Sequence, residues 1–261
     1  MSPEAPAPET VDEIVRLSRT LGEPARQFAI LAEGNTSVRL DDDRMLVKAS
    51  GSWLSRLEPD DLVEVRLAPI VELLDAPDAG DDDVATAFAQ ATVEREGRPR
   101  RRPSVEAILH AVCLTETEAR VVAHTHPVAV NGLLCSASAD LLTAGALFPD
   151  QVVVLGRHAL LVPYVDPGLP LGRHVRGLLR DFAAEHGTHP KIIYLRNHGL
   201  FALGAGADEA LQITEMAVKV AMILQAAESA GGAVFLQDAD ADRIDSRPDE
   251  HLRRRILAER N

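Results

Sequence analysis

The chain has 261 residues, a formal net charge of −13 and an apolar share of 46%. Its length fits one large domain, and its composition is that of an ordinary globular protein. The negative charge argues against nucleic acid or an anionic membrane as a partner, because both need a basic face. No uninterrupted apolar run reaches the length of a membrane span, so we expect no membrane partner.

Three regions are predicted. Residues 1–9 are rich in Pro and Ala and are predicted to be a short disordered tail, not a signal peptide. Residues 10–235 are predicted to form a single domain, and residues 236–261 a charged C-terminal extension. Cys113 and Cys135 lie among apolar neighbours and are expected to be reduced core thiols of a cytoplasmic protein.

The elements follow from hydrophobic spacing, capping residues and turn residues. The first half of the chain begins with a helix at residues 10–21 that has a Thr10/Glu13 capping box. A strand ending at the turn 41–43 follows, and then strands at 45–48 and 64–70. An acidic loop at 75–83, a helix at 84–96, a basic loop at 97–103 and a helix at 104–114 capped by Ser104 complete it. The second half begins with a strand at 121–126 and a helix at 128–136. Strands at 151–155 and 159–162 and a helix at 171–186 come next. The last elements are a strand at 191–195, a turn at 196–199, a strand at 200–203 and a helix at 208–230 capped by Asp208.

Strands therefore cluster between helices along the chain. This pattern predicts an α/β fold with one domain, in which helices cover both faces of a central mixed β-sheet. Such a fold has three layers.

Two histidines, His124 and His126, lie at the end of the apolar strand predicted over residues 121–126. Strand side chains alternate between faces, so both rings point the same way. Imidazole is the commonest protein ligand for a metal near neutral pH. A pair of structural histidines is the simpler interpretation, but two on one face of a strand favour a metal centre.

Two further ligands are predicted on distant segments. His198 lies in a tight turn between apolar strands; the alternative is a ring hydrogen-bonded to the backbone. Glu106 lies at the start of a helix, where a carboxylate is also favoured simply as a cap. His110 follows one turn later on the same side of the helix; it could support the ligands from behind, but it is interpreted as a packing residue. Three histidines and a carboxylate suit Zn²⁺, with Mn²⁺ and Co²⁺ as alternatives.

Small residues in neighbouring loops predict a place for an anion. Backbone amides, hydroxyls and a side-chain amide are donors that an anion accepts, and a helix N-terminus adds to their effect. Small residues in loops are also ordinary turn residues, and that alternative stays open. The candidate substrate-binding residues are Asn35, Ser50, Gly51 and Ser104.

Five short stretches, in this order, resemble the class II aldolase/adducin family. They are residues 34–39, 48–51, 103–106, 124–127 and 196–199. No single stretch is specific, but five in the family's order are. The resemblance covers roughly residues 10 to 230.

The resemblance implies a role for each candidate residue. It implies metal ligation by His124, His126, His198 and Glu106. It implies that Glu106 also moves a proton, and that substrate phosphate is held by Asn35, Ser50, Gly51 and Ser104. It further implies a small sugar or sugar-phosphate substrate and a homo-oligomer, a tetramer with sites between subunits.

The chain departs from the aldolases of that family at two places. Val105 stands where they carry a second serine, which removes one phosphate-binding hydroxyl. Residues 141–150 contain no tyrosine, although fuculose-type aldolases have a tyrosine acid in that region. The second proton-transfer residue therefore stays unassigned.

The function predicted from these residues is that of a metal-dependent aldolase, a lyase. It would cleave a ketose or ketose phosphate by a retro-aldol reaction through a metal-stabilised enediolate, with Glu106 as the catalytic residue. One alternative is a sugar-phosphate 4-epimerase or dehydratase that uses the same metal site. A second alternative is a non-catalytic, adducin-like interaction module, which ranks last because adducin-type domains have lost the metal ligands and this chain keeps its histidines.

Overall fold

A seven-stranded sheet lies between two layers of helices in the computed structural model, which describes residues 4–97 and 99–247. The strands are β1 (Asn35–Arg39), β2 (Arg44–Lys48), β3 (Leu62–Arg66), β4 (Val121–Thr125), β5 (Leu160–Val162), β6 (Ile192–Leu195) and β7 (Gly199–Gly204). Their order across the sheet is β3-β2-β1-β4-β7-β6-β5. Neighbours are antiparallel except β5 and β6, which are parallel. The predicted mixed sheet is confirmed.

Helices cover both faces of this sheet, as predicted. They are α1 (Pro8–Leu21), α2 (Ala68–Asp75), α3 (Asp81–Ala91), α4 (Ala107–Glu116), α5 (Val128–Leu134), α6 (Pro149–Leu155), α7 (Leu169–His186), α8 (Ala207–Ser229) and α9 (Asp238–Asp245). One core cluster joins the sheet to α2, α3, α4 and α7. The other joins the opposite face to α1, α5 and α8.

The central strands β4 and β7 are buried at every position. Val122 packs in the cluster that contains α4, whereas its neighbour Ala123 packs in the cluster that contains α8. A strand with helices on both faces must be apolar on both, and this is why these segments read as continuous apolar runs. Each fully buried Val, Leu or Ile side chain stabilises the fold by about 1.5–3 kcal/mol.

Helix α8 is the only one in the described residues that is long and apolar enough to cross a membrane, with a mean hydropathy of 1.3. Its apolar side chains Ile213, Val220 and Leu224 are buried by the sheet and the neighbouring helices. Packing in the core therefore accounts for its apolar character.

Helix α1 begins before the predicted start. It starts at Pro8, inside the predicted tail, and Ala7 is its N-cap residue without a side-chain hydrogen bond. Proline fits the first turn because its fixed φ is helical and its missing N–H has no partner there. The predicted capping box is wrong: the Glu13 carboxylate pairs with Arg120 and accepts the Ala207 N–H at 3.0 Å.

Two strand predictions are wrong in part or in whole. The strand predicted over residues 64–70 ends at Arg66, and α2 begins at Ala68 with Pro69 in its first turn. The segment predicted as a strand over residues 151–155 is helix α6. A short apolar run fits the spacing of a helix as well as that of a strand. The packing of Val152 and Val153 against α9 decides in favour of the helix.

The ends of further helices also differ from the predicted ones. Helix α3 runs over Asp81–Ala91 instead of residues 84–96, so it begins inside the predicted acidic loop. Helix α4 begins at Ala107, which makes Glu106 its N-cap residue and leaves Ser104 outside the helix. Helix α8 has Gly206, not Asp208, at its N-cap, with no side-chain hydrogen bond.

The predicted C-terminal extension contains ordered structure. Helix α9 packs its buried residues Ala241 and Ile244 against α6, so this part belongs to the folded body. The rest of the extension, residues 248–261, lies outside the described residues. The expectation for the cysteines is half right: Cys113 is buried, but Cys135 is exposed at the end of α5.

Candidate metal centre

The candidate site lies at one end of the sheet, where three strands bring distant segments together. In the β1–β4 pair Asn35 lies opposite His124, and in the β4–β7 pair Thr125 lies opposite Leu200. The start of β1, the end of β4 and the turn before β7 therefore meet. Glu106, at the N-cap of α4, reaches the same place from the helical layer.

The four predicted ligands come together. One ligand atom from each lies within 4.8 Å of all the others. The Nε2 atoms of His124 and His126 are 3.0 Å apart. Glu106 Oε1 lies 3.2 Å from His124 Nε2 and 3.0 Å from His198 Nε2. Tetrahedral ligands about 2.0–2.1 Å from one ion would lie about 3.3 Å apart. The set therefore fits one divalent metal ion.

The second nitrogens of the paired histidines explain why their Nε2 atoms face one another. His124 Nδ1 lies 2.9 Å from the carbonyl oxygen of Leu200, and His126 Nδ1 lies 3.3 Å from Glu33 Oε2. Both partners only accept, so both Nδ1 atoms carry a proton, and a neutral ring keeps a lone pair on its Nε2. Two such lone pairs at 3.0 Å repel one another unless a proton or a metal cation lies between them. This donor set is the usual one for a zinc-type ion, with its ligands oriented by outer hydrogen bonds.

The turn that carries His198 is held from two sides. Asn197 has a left-handed φ of 57°, which asparagine tolerates better than most residues. Asn131 donates its Nδ2 hydrogen to the His198 carbonyl at 2.9 Å. The His198 ring itself contacts Glu106, which favours the ligand interpretation over a ring bonded to the backbone.

Gly199 has no side chain, and the histidine rings and the end of β4 occupy the space where a Cβ atom would lie. A Cβ atom at this position would lie 2.5 Å from the Thr125 carbonyl oxygen and 2.6 Å from His126 Cδ2. Both distances are far below van der Waals contact. The close approach of β7 to the end of β4 therefore requires glycine here.

Glu106 is held as a carboxylate within the site. Burial by itself raises its pKa, but attraction to His124 and hydrogen bonds with His124 and His198 outweigh this and bring the pKa well below its ordinary value. Its other oxygen, Oε2, accepts the Asn35 Nδ2 hydrogen at 2.7 Å. The side chain makes no capping hydrogen bond, so its contacts serve the site and not the helix.

His110 has polar contacts that the packing interpretation missed. It is fully buried, with Ser37 Oγ 2.7 Å from Nδ1 and Asn35 Oδ1 hydrogen-bonded to Nε2. Burial, followed by repulsion from His124, lowers its pKa to about 3. The spacing of four residues from Glu106 on a helix was the one sequence signal for a shared role.

Lys48 is a second residue that the sequence analysis left without a role. It is 1% exposed, and its Nζ donates to the carbonyls of Ala32 at 3.0 Å and Ser52 at 2.6 Å. Burial lowers its pKa to about 8, against the attraction of Glu106 and Asp61. A largely buried positive charge therefore lies within electrostatic reach of the site.

The predicted substrate-binding residues divide into two groups. Ala49 pairs with Pro103, and the Ser50 N–H donates to the Arg102 carbonyl at 2.9 Å, so the loop with Ser50 and Gly51 lies beside Ser104. Asn35 lies elsewhere: it is 2% exposed and its polar atoms contact Glu106 and His110. The role of all four in substrate binding stays a prediction.

Comparison with known families shows to which family the chain belongs. The family model described as the class II aldolase and adducin N-terminal domain matches residues 12–224. The chain belongs to the class II aldolase and adducin family.

Named relatives carry more than one activity. The chain is 26% identical over 205 residues to 3-oxo-tetronate 4-phosphate decarboxylase of Haemophilus influenzae, covering 77% of this chain and 80% of that protein. It is 31% identical over 147 residues to methylthioribulose-1-phosphate dehydratase of Azotobacter vinelandii, covering 52% and 66%. The solved structure of L-fuculose-1-phosphate aldolase from Thermus thermophilus superposes with a TM-score of 0.59 at 22% identity, covering 87% and 100%, which shows the shared fold.

Proposed function

We propose that this chain is a metal-dependent lyase that cleaves a ketose or ketose phosphate by a retro-aldol reaction. The observation that carries the proposal is the position of the Glu106 carboxylate. It lies 3.0 Å from His198 Nε2 and 3.2 Å from His124 Nε2, within the set that His126 completes. A proton carrier thus lies beside the groups that hold the ion.

The histidines and Glu106 would hold a divalent cation, with Zn²⁺ expected and Mn²⁺ or Co²⁺ as alternatives. Such a cation supplies positive charge next to a substrate carbonyl, where negative charge develops as the carbon–carbon bond breaks.

Glu106 is the base and then the acid in this proposal. Its carboxylate takes the proton from the substrate hydroxyl whose carbon becomes the aldehyde carbon, and the carbon–carbon bond breaks. The same carboxyl group then returns the proton to the carbon that has gained the electron pair. Asn35 supports this role because its hydrogen bond to Oε2 fixes the carboxylate while Oε1 faces the histidines.

Ser50, Gly51 and Ser104 are proposed to bind the far end of the substrate, including a phosphate if one is present. Ser50 and Gly51 are exposed and lie beside Ser104, two residues from Glu106. Val105 offers no hydroxyl at the adjacent position, so we expect weaker phosphate binding than a serine pair would give.

We further propose a cytoplasmic homo-oligomer.

A second candidate is decarboxylation of a 3-oxo sugar acid phosphate, and a third is dehydration. The named decarboxylase and dehydratase relatives favour these reactions. Each reaction places negative charge on an oxygen next to the reacting carbon, so the same donor set and the same carboxylate would serve. A 4-epimerase would also use them. The complete donor set ranks a non-catalytic interaction module last.

A substrate screen of the metal-loaded protein tests the proposal. Ketoses, ketose phosphates and 3-oxo sugar acid phosphates are incubated with enzyme loaded with Zn²⁺, Mn²⁺ or Co²⁺, and products are identified by mass and NMR. Release of an aldehyde supports the aldolase. Carbon dioxide, loss of water or an epimer assigns the corresponding alternative. No turnover of any substrate by fully loaded protein would contradict an enzymatic role.

A further inference from the structure

Four polar side chains form a hydrogen-bonded chain that ends at Glu106. Ser37 and Asn35 lie two residues apart on β1 and so share one face of the sheet. His110 lies one turn after Glu106 at the start of α4, which packs on that face. Ser37 and His110 are 0% exposed and Asn35 is 2% exposed, so these three side chains are shielded from water, and only Glu106 is partly exposed.

The Glu106 carboxylate, at the end of this series of side chains, fixes the direction of every hydrogen bond in it. An ionised carboxylate only accepts, so Asn35 must donate from Nδ2 to Glu106 Oε2 at 2.7 Å. Its Oδ1 is then left to accept, so His110 must donate from Nε2. His110 Nδ1 therefore lacks a proton and accepts one hydrogen bond from Ser37 Oγ at 2.7 Å.

Packing alone does not explain an imidazole at this position. The neighbouring α4 residues are apolar and fully buried, and His110 also contacts the Phe201 ring edge-on at 5.3 Å. A phenyl ring would fill this space without a polar group that needs partners in the core. What the imidazole adds is the hydrogen bond to Asn35.

We propose that His110 is a positioning residue that acts through Asn35. By holding the amide oxygen of Asn35, it turns the amide nitrogen towards Glu106 Oε2. Glu106 Oε1 is thereby left facing His124 and His198, 3.2 Å and 3.0 Å away. This inference rests on the proposed metal site but not on the proposed reaction, and Ser37 completes the set by donating its hydroxyl hydrogen to His110 Nδ1.

Metal affinity, measured without substrate, is the first test. Zn²⁺ binding by competition and the visible absorption spectrum of bound Co²⁺ are recorded for the wild type, His110→Phe and His110→Gln. His110→Phe keeps the ring volume but loses the donor, and we expect its affinity to fall about 10- to 100-fold. His110→Gln keeps an amide donor, so its affinity and spectrum should approach the wild type. His158→Phe, on the exposed loop before β5, is the matched control and should leave both unchanged.

Kinetics give a second readout on whichever substrate the wild type turns over. His110→Phe should lower kcat and leave KM nearly unchanged, because the substrate-binding loop at Ser50 is untouched, and His110→Gln should recover much of kcat. Equal loss in the Phe and Gln variants, or wild-type metal affinity in both, overturns the proposal in favour of packing.

Ser37→Ala keeps the test decisive if His110→Phe does not fold. Removing this hydroxyl leaves the ring in place but takes away the donor to its Nδ1, so the ring is held less firmly and a smaller loss of metal affinity is expected. Unchanged affinity and an unchanged Co²⁺ spectrum in Ser37→Ala would also overturn the proposal. Failure of the wild type to act on any sugar would remove the proposed function and leave these binding results to stand.

Discussion

His124 and His126 are oriented as ligands by the groups behind them. The Leu200 carbonyl and the Glu33 carboxylate each hold an Nδ1 hydrogen, at 2.9 and 3.3 Å, which directs both Nε2 lone pairs into the site. A backbone carbonyl cannot be removed by mutation, whereas the Glu33 carboxylate can. At the residue scale, the centre therefore depends on hydrogen bonds outside the ligand set.

Glu106→Gln separates metal binding from proton transfer. The amide keeps the shape of the side chain, and three histidines remain, so we expect most of the bound metal to stay. The amide cannot accept a proton at neutral pH, so kcat should fall about 10²- to 10⁴-fold. Metal content and kcat are measured on the same preparation. Full activity in this variant would remove Glu106 from the chemistry.

His110 makes the stability of the metal-free protein depend on pH. Its pKa is about 3 in the fold against an ordinary value of 6.5, so between these values the unfolded chain binds more protons than the folded one. The free energy of unfolding should therefore fall as the pH drops from about 6.5 towards 3. The contribution of His110 is fully present above pH 6.5.

Urea unfolding at pH 7 and pH 5 measures this dependence. His126, whose pKa is also lowered to about 3, contributes in the same direction, so the wild type is compared with His110→Gln to isolate one group. The variant should lose less stability than the wild type on the same drop in pH. Parallel losses in the two proteins would show that His110 is not the neutral, buried group described.

At the scale of elements, the site depends on how closely β7 approaches the end of β4. Gly199→Ala would place a methyl group 2.5 Å from the Thr125 carbonyl and 2.6 Å from the His126 ring. We expect the His126 ring to be displaced, metal binding to be weakened and stability to fall by about 1–3 kcal/mol. Metal titration and thermal unfolding check this.

Gly177→Ala is the matched control. Gly177 lies in the interior of α7, and a Cβ there would meet no atom within 4 Å. Alanine should raise stability by about 0.5–1 kcal/mol and leave metal binding unchanged, because glycine is the poorer helix former. Wild-type metal affinity in Gly199→Ala would contradict the steric argument for that position.

The sequence predicts the elements that are buried on both faces and much less about the short ones. Strands β4 and β7 are continuously apolar and helix α8 is long. The spacing of their apolar residues therefore fits only one kind of secondary structure. Helix α6 has too few residues for its period to be read, and its contacts with α9 decide its conformation. The predicted start of α4 is wrong because Ser104 forms a turn before the helix: its hydroxyl oxygen accepts the Glu106 N–H at 3.4 Å, and the helix begins only at Ala107.

The clustering of the proposed ligands could be predicted from the sequence, and their supporting contacts could not. His124, His126 and His198 stand out because they end apolar strands. The contact between Asn35 and Glu106 depends on the register of β1 against β4 and on the placement of α4, neither of which has a local signal. Glu33 lies in a segment without periodicity, so nothing in the sequence points to its contact with His126.

At the scale of the whole molecule, the surface beside the site is apolar. Ile30, Leu31 and Val128 are each 63% exposed, and their segments are joined by hydrogen bonds from His126 N to Phe28 and from Val128 N to Gln27. Exposed large aliphatic side chains grouped at one place indicate a protein contact surface. They support the proposed homo-oligomer with sites close to a subunit boundary.

Sedimentation of the wild type and Val128→Glu tests this. The wild type should sediment as an oligomer, a tetramer by the family resemblance, and the variant should shift to a smaller mass because a buried charge at the contact is unfavourable. Val234→Glu, at a residue 86% exposed elsewhere, is the control and should behave as the wild type. A monomeric wild type, or an unchanged mass for Val128→Glu, would contradict the assignment.

The central claim is that three imidazoles from two distant segments bind one ion together with Glu106. Anomalous diffraction from crystals grown with Zn²⁺ tests it most directly, because the peak locates the metal independently of any activity. We predict one peak about 2.0–2.1 Å from the Nε2 atoms of His124, His126 and His198. A peak elsewhere, or none among these histidines in crystals that contain the metal, would contradict the account.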